Sequence, residues 1–133
     1  MKTVLFVCVE NSCRSQMAEA FAKIHGKDIL KSYSAGSRAS GKINEKAIKS
    51  MQQVGYDLNT HNSKSLNNIP EIEYDFAITM GCGDECPYVK AKQRQDWAMP
   101  DPKNMNDQDF NQVRDMIEQK VLSLINTLNI EEK

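Results

Sequence analysis

Eight consecutive residues carry most of the chemistry legible in this chain: Cys8, Val9, Glu10, Asn11, Ser12, Cys13, Arg14 and Ser15. A cysteine followed, after five intervening residues, by an arginine combines a nucleophile with a permanent planar cation whose paired N–H groups suit a tetrahedral oxyanion. The backbone N–H groups of this loop are expected to converge on such an anion, helped by the positive end of a following helix. The same field favours the thiolate of Cys8, which is the attacking form. Ser15 can donate a hydrogen bond to the sulfur or to a leaving oxygen, and Asn11 can brace the loop through its amide. A carboxylate at Glu10 would be repelled by the anion and is expected to face solvent. Cys13 reads as a small buried residue of the turn.

The elements that must hold this loop can be read on either side of it. Thr3 to Cys8 is a continuous apolar run, as for a strand buried on both faces. From Ser15 onward Met17, Ala18, Phe21, Ala22 and Ile24 recur at helical spacing, with Gly26 placed for a left-handed cap. Ser32 to Ala35 reads as a second strand, Gly36 to Lys42 as a polar loop, and Asn44 as the cap of a helix to about Val54, ended by Gly55. Tyr74 to Thr79 is a third strand. Gly81 to Pro102 reads as irregular and holds two cysteines and three of the four prolines, which is too much for an idle connector. Val113, Met116, Ile117, Lys120, Val121, Leu124 and Leu128 mark one face of a long C-terminal helix. This alternation implies an α/β fold with a parallel sheet covered on both faces and ligands at the carboxyl ends of its strands, where Cys8 sits.

Composition narrows the function. The chain has 133 residues, 40% of them hydrophobic, enough for one ordinary core. Its 17 basic and 18 acidic residues leave a net charge of -1, so no broad field draws it to nucleic acid or membrane, and any affinity for anions must be local. The apolar start of the chain is too short to span a bilayer and has no signal-cleavage pattern, which predicts a cytoplasmic protein. In that reducing compartment Cys8, Cys13, Cys82 and Cys86 are expected to be catalytic, redox-active or metal-binding. A four-cysteine zinc site is disfavoured because their spacings do not match the usual C-x2-C pairs. His25 and His61 read as structural or surface residues. Trp97, Tyr88 and Met99 read as packing for the segment around the distal cysteines, and Lys90, Lys92 and Arg94 as a solvated face able to steer a reductant.

The loop CVENSCRS resembles the Cys-x5-Arg-Ser phosphate loop of the low-molecular-weight protein tyrosine phosphatases, and its continuation SQMAEAF is similar to the arsenate reductase branch of that superfamily. SAG at residues 34–36, TMGCGDECP at 79–87 and WAMPDP at 97–102 fit the same pattern. The resemblance covers nearly the whole chain and points to thioredoxin-coupled arsenate reductases. It implies a single domain over residues 1–133, with a four-stranded parallel sheet flanked by helices on both faces.

That resemblance also implies a reaction. Cys8 attacks arsenate held by Val9 to Ser15 and Arg14, while Asp101 in its Pro-Asp-Pro run protonates the departing oxygen. Cys82 then attacks Cys8, arsenite leaves, and Cys86 moves the disulfide on to Cys82-Cys86 for reduction by thioredoxin. Gly81 and Gly83 would let Cys82 travel, and the segment is expected to rearrange on oxidation. No cofactor or metal, no nucleic acid and no membrane is expected, and the protein is expected to be a monomer. Glu19 and Ser34 match a potassium site of some relatives, where Lys64 stands in place of an acidic residue and its ammonium would fill the space. Two other readings remain open. One is a phosphatase using Cys8, Arg14 and Asp101 with Cys82 as a redox safety catch; the other is a non-catalytic anion- or redox-sensing module.

Overall fold

Strand β1 (Lys2–Cys8) lies at the centre of the molecule, and residues Val4 to Cys8 are all buried, which explains their unbroken apolar run. In the computed structural model, which describes residues 1–81 and 89–131, β1 pairs with β2 (Leu30–Gly36) and β3 (Tyr74–Thr79), and β3 pairs with β4 (Ala91–Asp96). All pairings are parallel and the order is β2-β1-β3-β4. The register sets Cys8 beside Gly36, Val7 beside Thr79 and Thr79 beside Asp96. The carboxyl ends of all four strands therefore meet where β1 releases Cys8, the usual ligand edge of such sheets.

Three helices, α1 (Arg14–His25), α2 (Glu45–Gln52) and α3 (Asp107–Glu131), share one core with one face of the sheet. Val4, Phe6, Phe76 and Ile78 meet Met17, Phe21, Met51 and Ile117 there. Each large side chain fully buried in this layer contributes about 2 kcal/mol, so this face dominates cohesion and fixes α1 behind the anion loop. The opposite face, with Leu5, Val7, Ala35 and Ala77, is covered by Tyr33, Leu66, Ile69 and Val89. Its helical cover among the described residues is the short 3-10 turn Leu66–Asn68, capped by Ser65. Helical cover thus lies on both faces, but unequally. Among the described residues no helix is long and apolar enough to cross a membrane.

Several local expectations hold and others do not. Asn44 caps α2, accepting from the Lys46 amide at 2.8 Å. Gly26 closes α1 but is not left-handed, with φ −120°; it is small because a Cβ there would come within 2.9 Å of Ile125 Cδ1. The stretch 81–102 is not irregular throughout, since β4 lies inside it. AKQRQD escaped notice because β4 is an edge strand with only Ala91 buried, a polar edge of the kind that discourages pairing with another chain. On α3, Met116 and Lys120 are exposed, and Ile125 takes part in the buried face instead.

Candidate active site

The loop after β1 is shaped from its outer side. Every carbonyl from Cys8 to Cys13 accepts a hydrogen bond: from the amides of Ser37, Arg38, Ser40, Asn44 and Met17, and for Asn11 from the Gln16 side chain. In a trans peptide the N–H lies opposite the C=O, so the amides of residues 9–14 turn to the inner side. Asn11 makes the bend in a left-handed conformation (φ 52°), which asparagine tolerates better than most residues. Gly36 is required beneath it, because a Cβ there would lie 2.5 Å from the Val9 carbonyl oxygen. The start of α1 carries no side-chain cap at Cys13 and no acidic residue in its first turn, leaving its positive end available to an anion.

This inner side faces a cavity of about 490 Å³. From the loop, Cys8, Val9, Glu10, Ser12, Cys13 and Arg14 line it; Arg38, Gly81, Met99, Pro100, Asp101 and Lys103 complete the wall. Asn11 and Ser15, expected to touch the substrate, are fully buried and are not among the lining residues. They act from behind. Ser15 Oγ lies 2.8 Å from the Cys8 sulfur and accepts from Asn11 Nδ2 at 2.8 Å. Arg14 Nη1 donates to the carbonyls of Met80 (2.6 Å) and Met99 (3.0 Å), tying the end of β3 and the approach to Asp101 to the anion loop.

Asp101 is exposed on the cavity wall, its carboxylate accepting from the Lys103 amide at 3.1 Å. Ahead of it Trp97 is buried against Phe6, with ring centroids 5.6 Å apart, and Met99 is buried as expected. Ala98 between them is left-handed (φ 45°), a strained choice for a residue with a Cβ. Glu10 is half-exposed and turned to Lys103, whose Nζ donates at 3.2 Å, so its carboxylate is compensated. Burial pushes the Cys13 thiol up to about 12, in keeping with a buried residue of the turn.

Cys82, Cys86 and Tyr88 lie outside the described residues. Gly81, immediately before Cys82, lies within them and lines the cavity. Its φ of +89° and the Met99 oxygen 3.0 Å from any added Cβ require glycine. Of the proposed steering cations, Lys92 faces Asp75 at 3.4 Å and Arg94 donates to the Val89 carbonyl.

Glu19 is buried beneath the loop and meets Ser34 Oγ, Lys23 (2.7 Å) and Lys64 (3.8 Å). Burial pushes its pKa up, but Lys23 and Ser34, with His61 and Lys64, outweigh that and hold it below the usual carboxylate value. His25 pairs with Glu118 near the surface. His61 is a structural residue, as read from the sequence: it is buried and bonded to Gln16 and Tyr56. The sequence carries no expectation for Arg38, Lys103, Gln16 or Tyr56. For Arg38 a signal existed, since it lies two residues beyond the carboxyl end of β2; the others depend on contacts between distant segments.

The family model for low molecular weight phosphotyrosine protein phosphatase matches residues 3–133. Arsenate reductase 1 of Staphylococcus epidermidis is 41% identical over 120 residues, covering 87% of this chain and 89% of that protein. Glutaredoxin arsenate reductase of Synechocystis sp. is 38% identical over 128 residues, covering 94% and 97%. A solved structure described as an arsenate reductase in the phosphate binding state superposes with a TM-score of 0.87 at 37% identity, covering 96% of this chain and 99% of that one.

Proposed function

We propose a reaction course from the premise that this chain belongs to the low molecular weight phosphotyrosine protein phosphatase family and is an arsenate reductase within it. Arsenate occupies the cavity above the inward amides of residues 9–14 and the Arg14 guanidinium. The Cys8 thiolate attacks arsenic, Asp101 gives a proton to the departing oxygen, and water leaves, forming a Cys8 sulfur–arsenic(V) adduct. The Cys82 thiolate then attacks the Cys8 sulfur. The sulfur–arsenic bond breaks with its electron pair going to arsenic, which leaves as arsenite while the two thiols become a Cys8–Cys82 disulfide. Cys86 attacks Cys82, returning Cys8 as a thiolate and leaving Cys82–Cys86.

One observation carries the relay: Gly81, the residue joined to Cys82, forms part of the wall of the Cys8 cavity. The chain thus enters the distal-cysteine segment beside the reacting sulfur. A phosphatase would use Cys8, Arg14 and Asp101, with Cys82 at most as a redox safety catch, and leaves Cys86 without a part.

An intramolecular disulfide at the end of a relay suits a dithiol donor, and we assign that part to thioredoxin, with a monomer acting as one domain in the cytoplasm. Arsenate-dependent NADPH oxidation with thioredoxin and thioredoxin reductase tests this, beside a glutaredoxin and glutathione arm. Turnover should be lost in Cys82→Ser and in Cys86→Ser. Full turnover in Cys82→Ser would eliminate the relay; turnover kept only by Cys86→Ser would transfer the donor role to the glutathione arm.

A further inference from the structure

Behind the cavity, five side-chain hydrogen bonds run in one direction and end on the Cys8 sulfur. Tyr56 Oη lies 2.5 Å from His61 Nε2, and His61 Nδ1 lies 2.9 Å from Gln16 Oε1. Gln16 Nε2 donates to Asn11 Oδ1 at 2.7 Å, and Asn11 Nδ2 donates to Ser15 Oγ at 2.8 Å. Ser15 Oγ is 2.8 Å from Cys8 Sγ.

The directions follow from what each group can do. Gln16 Nε2 also faces the carbonyls of Asn11 and Asn62, so that end of the amide is its N–H end and Oε1 must accept. His61 Nδ1 therefore carries the hydrogen, Nε2 accepts, and the Tyr56 hydroxyl donates. At the other end, Ser15 Oγ accepts from Asn11, and facing a Cys8 thiolate, which can only accept, its one hydrogen is directed to the sulfur. Aligned donors polarise one another, and all of them here favour negative charge at the last atom.

We propose that Gln16, His61 and Tyr56 are positioning residues for Cys8, forming the remote half of a one-way hydrogen-bond chain that keeps the Ser15 proton on the sulfur side and so supports the thiolate. None of the three touches the substrate cavity. The inference rests on Cys8 being the nucleophile. The charged and titratable groups around the two ends are distinct. Glu10, Cys13, Arg14, Arg38, Asp101 and Lys103 share the cavity with Cys8, whereas Glu19, Lys23 and Lys64 surround His61. Burial moves His61 down to about 4, against the pull of Glu19, so the neutral ring that the chain needs persists through the neutral range.

Alkylation of Cys8, followed by peptide mass spectrometry, tests this without arsenate or reductant. The readout is the ratio of the Cys8 rate at mildly acidic pH to that at alkaline pH, which follows the thiolate fraction. Gln16→Met interrupts the chain and is expected to lower the ratio about three- to tenfold; Tyr56→Phe should lower it less. His61→Leu should also lower it, while His61→Asn, whose amide can place a donor where Nδ1 lies, should restore it. Unchanged ratios in folded Gln16→Met and His61→Leu would overturn the proposal, as would a His61→Asn ratio as low as that of His61→Leu. If Gln16→Met does not fold, the two His61 variants decide. Wild-type Cys8 reacting at acidic pH no faster than an unstructured cysteine peptide would overturn the nucleophile assignment itself, and this inference with it.

Discussion

Arg14 Nη1 lies 2.6 Å from the carbonyl oxygen of Met80, so the cation assigned to the oxyanion is anchored to the residue two positions before Cys82. Substrate binding and the start of the relay segment share one side chain. Nη1 makes both carbonyl bonds, and a lysine, with one nitrogen, cannot hold these carbonyls and also offer the planar fork that suits an oxyanion. Arg14→Lys is expected to lower kcat/KM for arsenate about a hundredfold, measured by coupled NADPH oxidation. A loss below threefold (about 0.6 kcal/mol) would remove Arg14 from the binding role.

Ser15→Ala removes the hydroxyl beside the sulfur and leaves Asn11 Nδ2 without its acceptor. A buried unpaired donor costs about 1–3 kcal/mol. The variant should therefore melt several degrees lower and lose about tenfold in kcat/KM, most of it at the acidic side of the profile. Equal losses at acidic and alkaline pH would mean that Ser15 serves folding alone.

Gly36→Ala places a Cβ 2.5 Å from the Val9 oxygen and 3.0 Å from the Asn11 nitrogen. Overpacking against backbone costs about 1–3 kcal/mol, and here the backbone that must yield is the anion loop. Phosphate binding by calorimetry should weaken by more than the urea midpoint alone would suggest. Wild-type phosphate affinity in Gly36→Ala would show that the loop does not depend on this close approach.

The Lys64 ammonium stands 3.8 Å from Glu19 Oε1, with Lys23 at 2.7 Å from the other carboxylate oxygen. These built-in cations should make the melting temperature equal in potassium and sodium buffers, and Lys64→Ala should lower it. A wild-type preference for potassium would mean that Lys64 does not fill the position.

His61 and Glu19 set the sign of an acid limb in stability. The folded-state value of His61 is depressed from 6.5 to about 4, so as pH falls through that window the unfolded chain takes up the proton first and stability is lost. Glu19 is also depressed below its ordinary 4.5, and its contribution is present above that value and disappears as pH falls through its lower one. Melting temperature should be level above about pH 6.5 and decline below it, with the upper part of the decline absent in His61→Asn. A decline in the variant identical to that of wild type would exclude His61 as its source.

Much of this architecture was legible because adjacent residues encode it. The run before Cys8 identifies a doubly buried strand, and the spacing of Cys8 and Arg14 marks the loop whose side chains line the cavity. The edge strand at Ala91–Asp96 was not legible, because a strand with five exposed residues has no apolar face to alternate. The chain from Tyr56 to Cys8 was hidden for another reason. His61 and Gln16 are 45 positions apart, and no local pattern distinguishes a histidine that completes a distant network from one that faces water. Arg14 was legible as a cation but not as an anchor, since its partners are main-chain oxygens that any residue could supply.

The outward-turned carbonyls of the anion loop bear on selectivity. A receptor whose amides are already fixed by its own scaffold adapts little to its guest, and phosphate and arsenate share both shape and charge. Such a receptor admits both. Discrimination then falls to what happens afterwards, because sulfur can draw oxidising equivalents from pentavalent arsenic but not from pentavalent phosphorus. The metalloid is sorted from the nutrient by its electron affinity, and the price is that abundant phosphate competes for every vacant receptor.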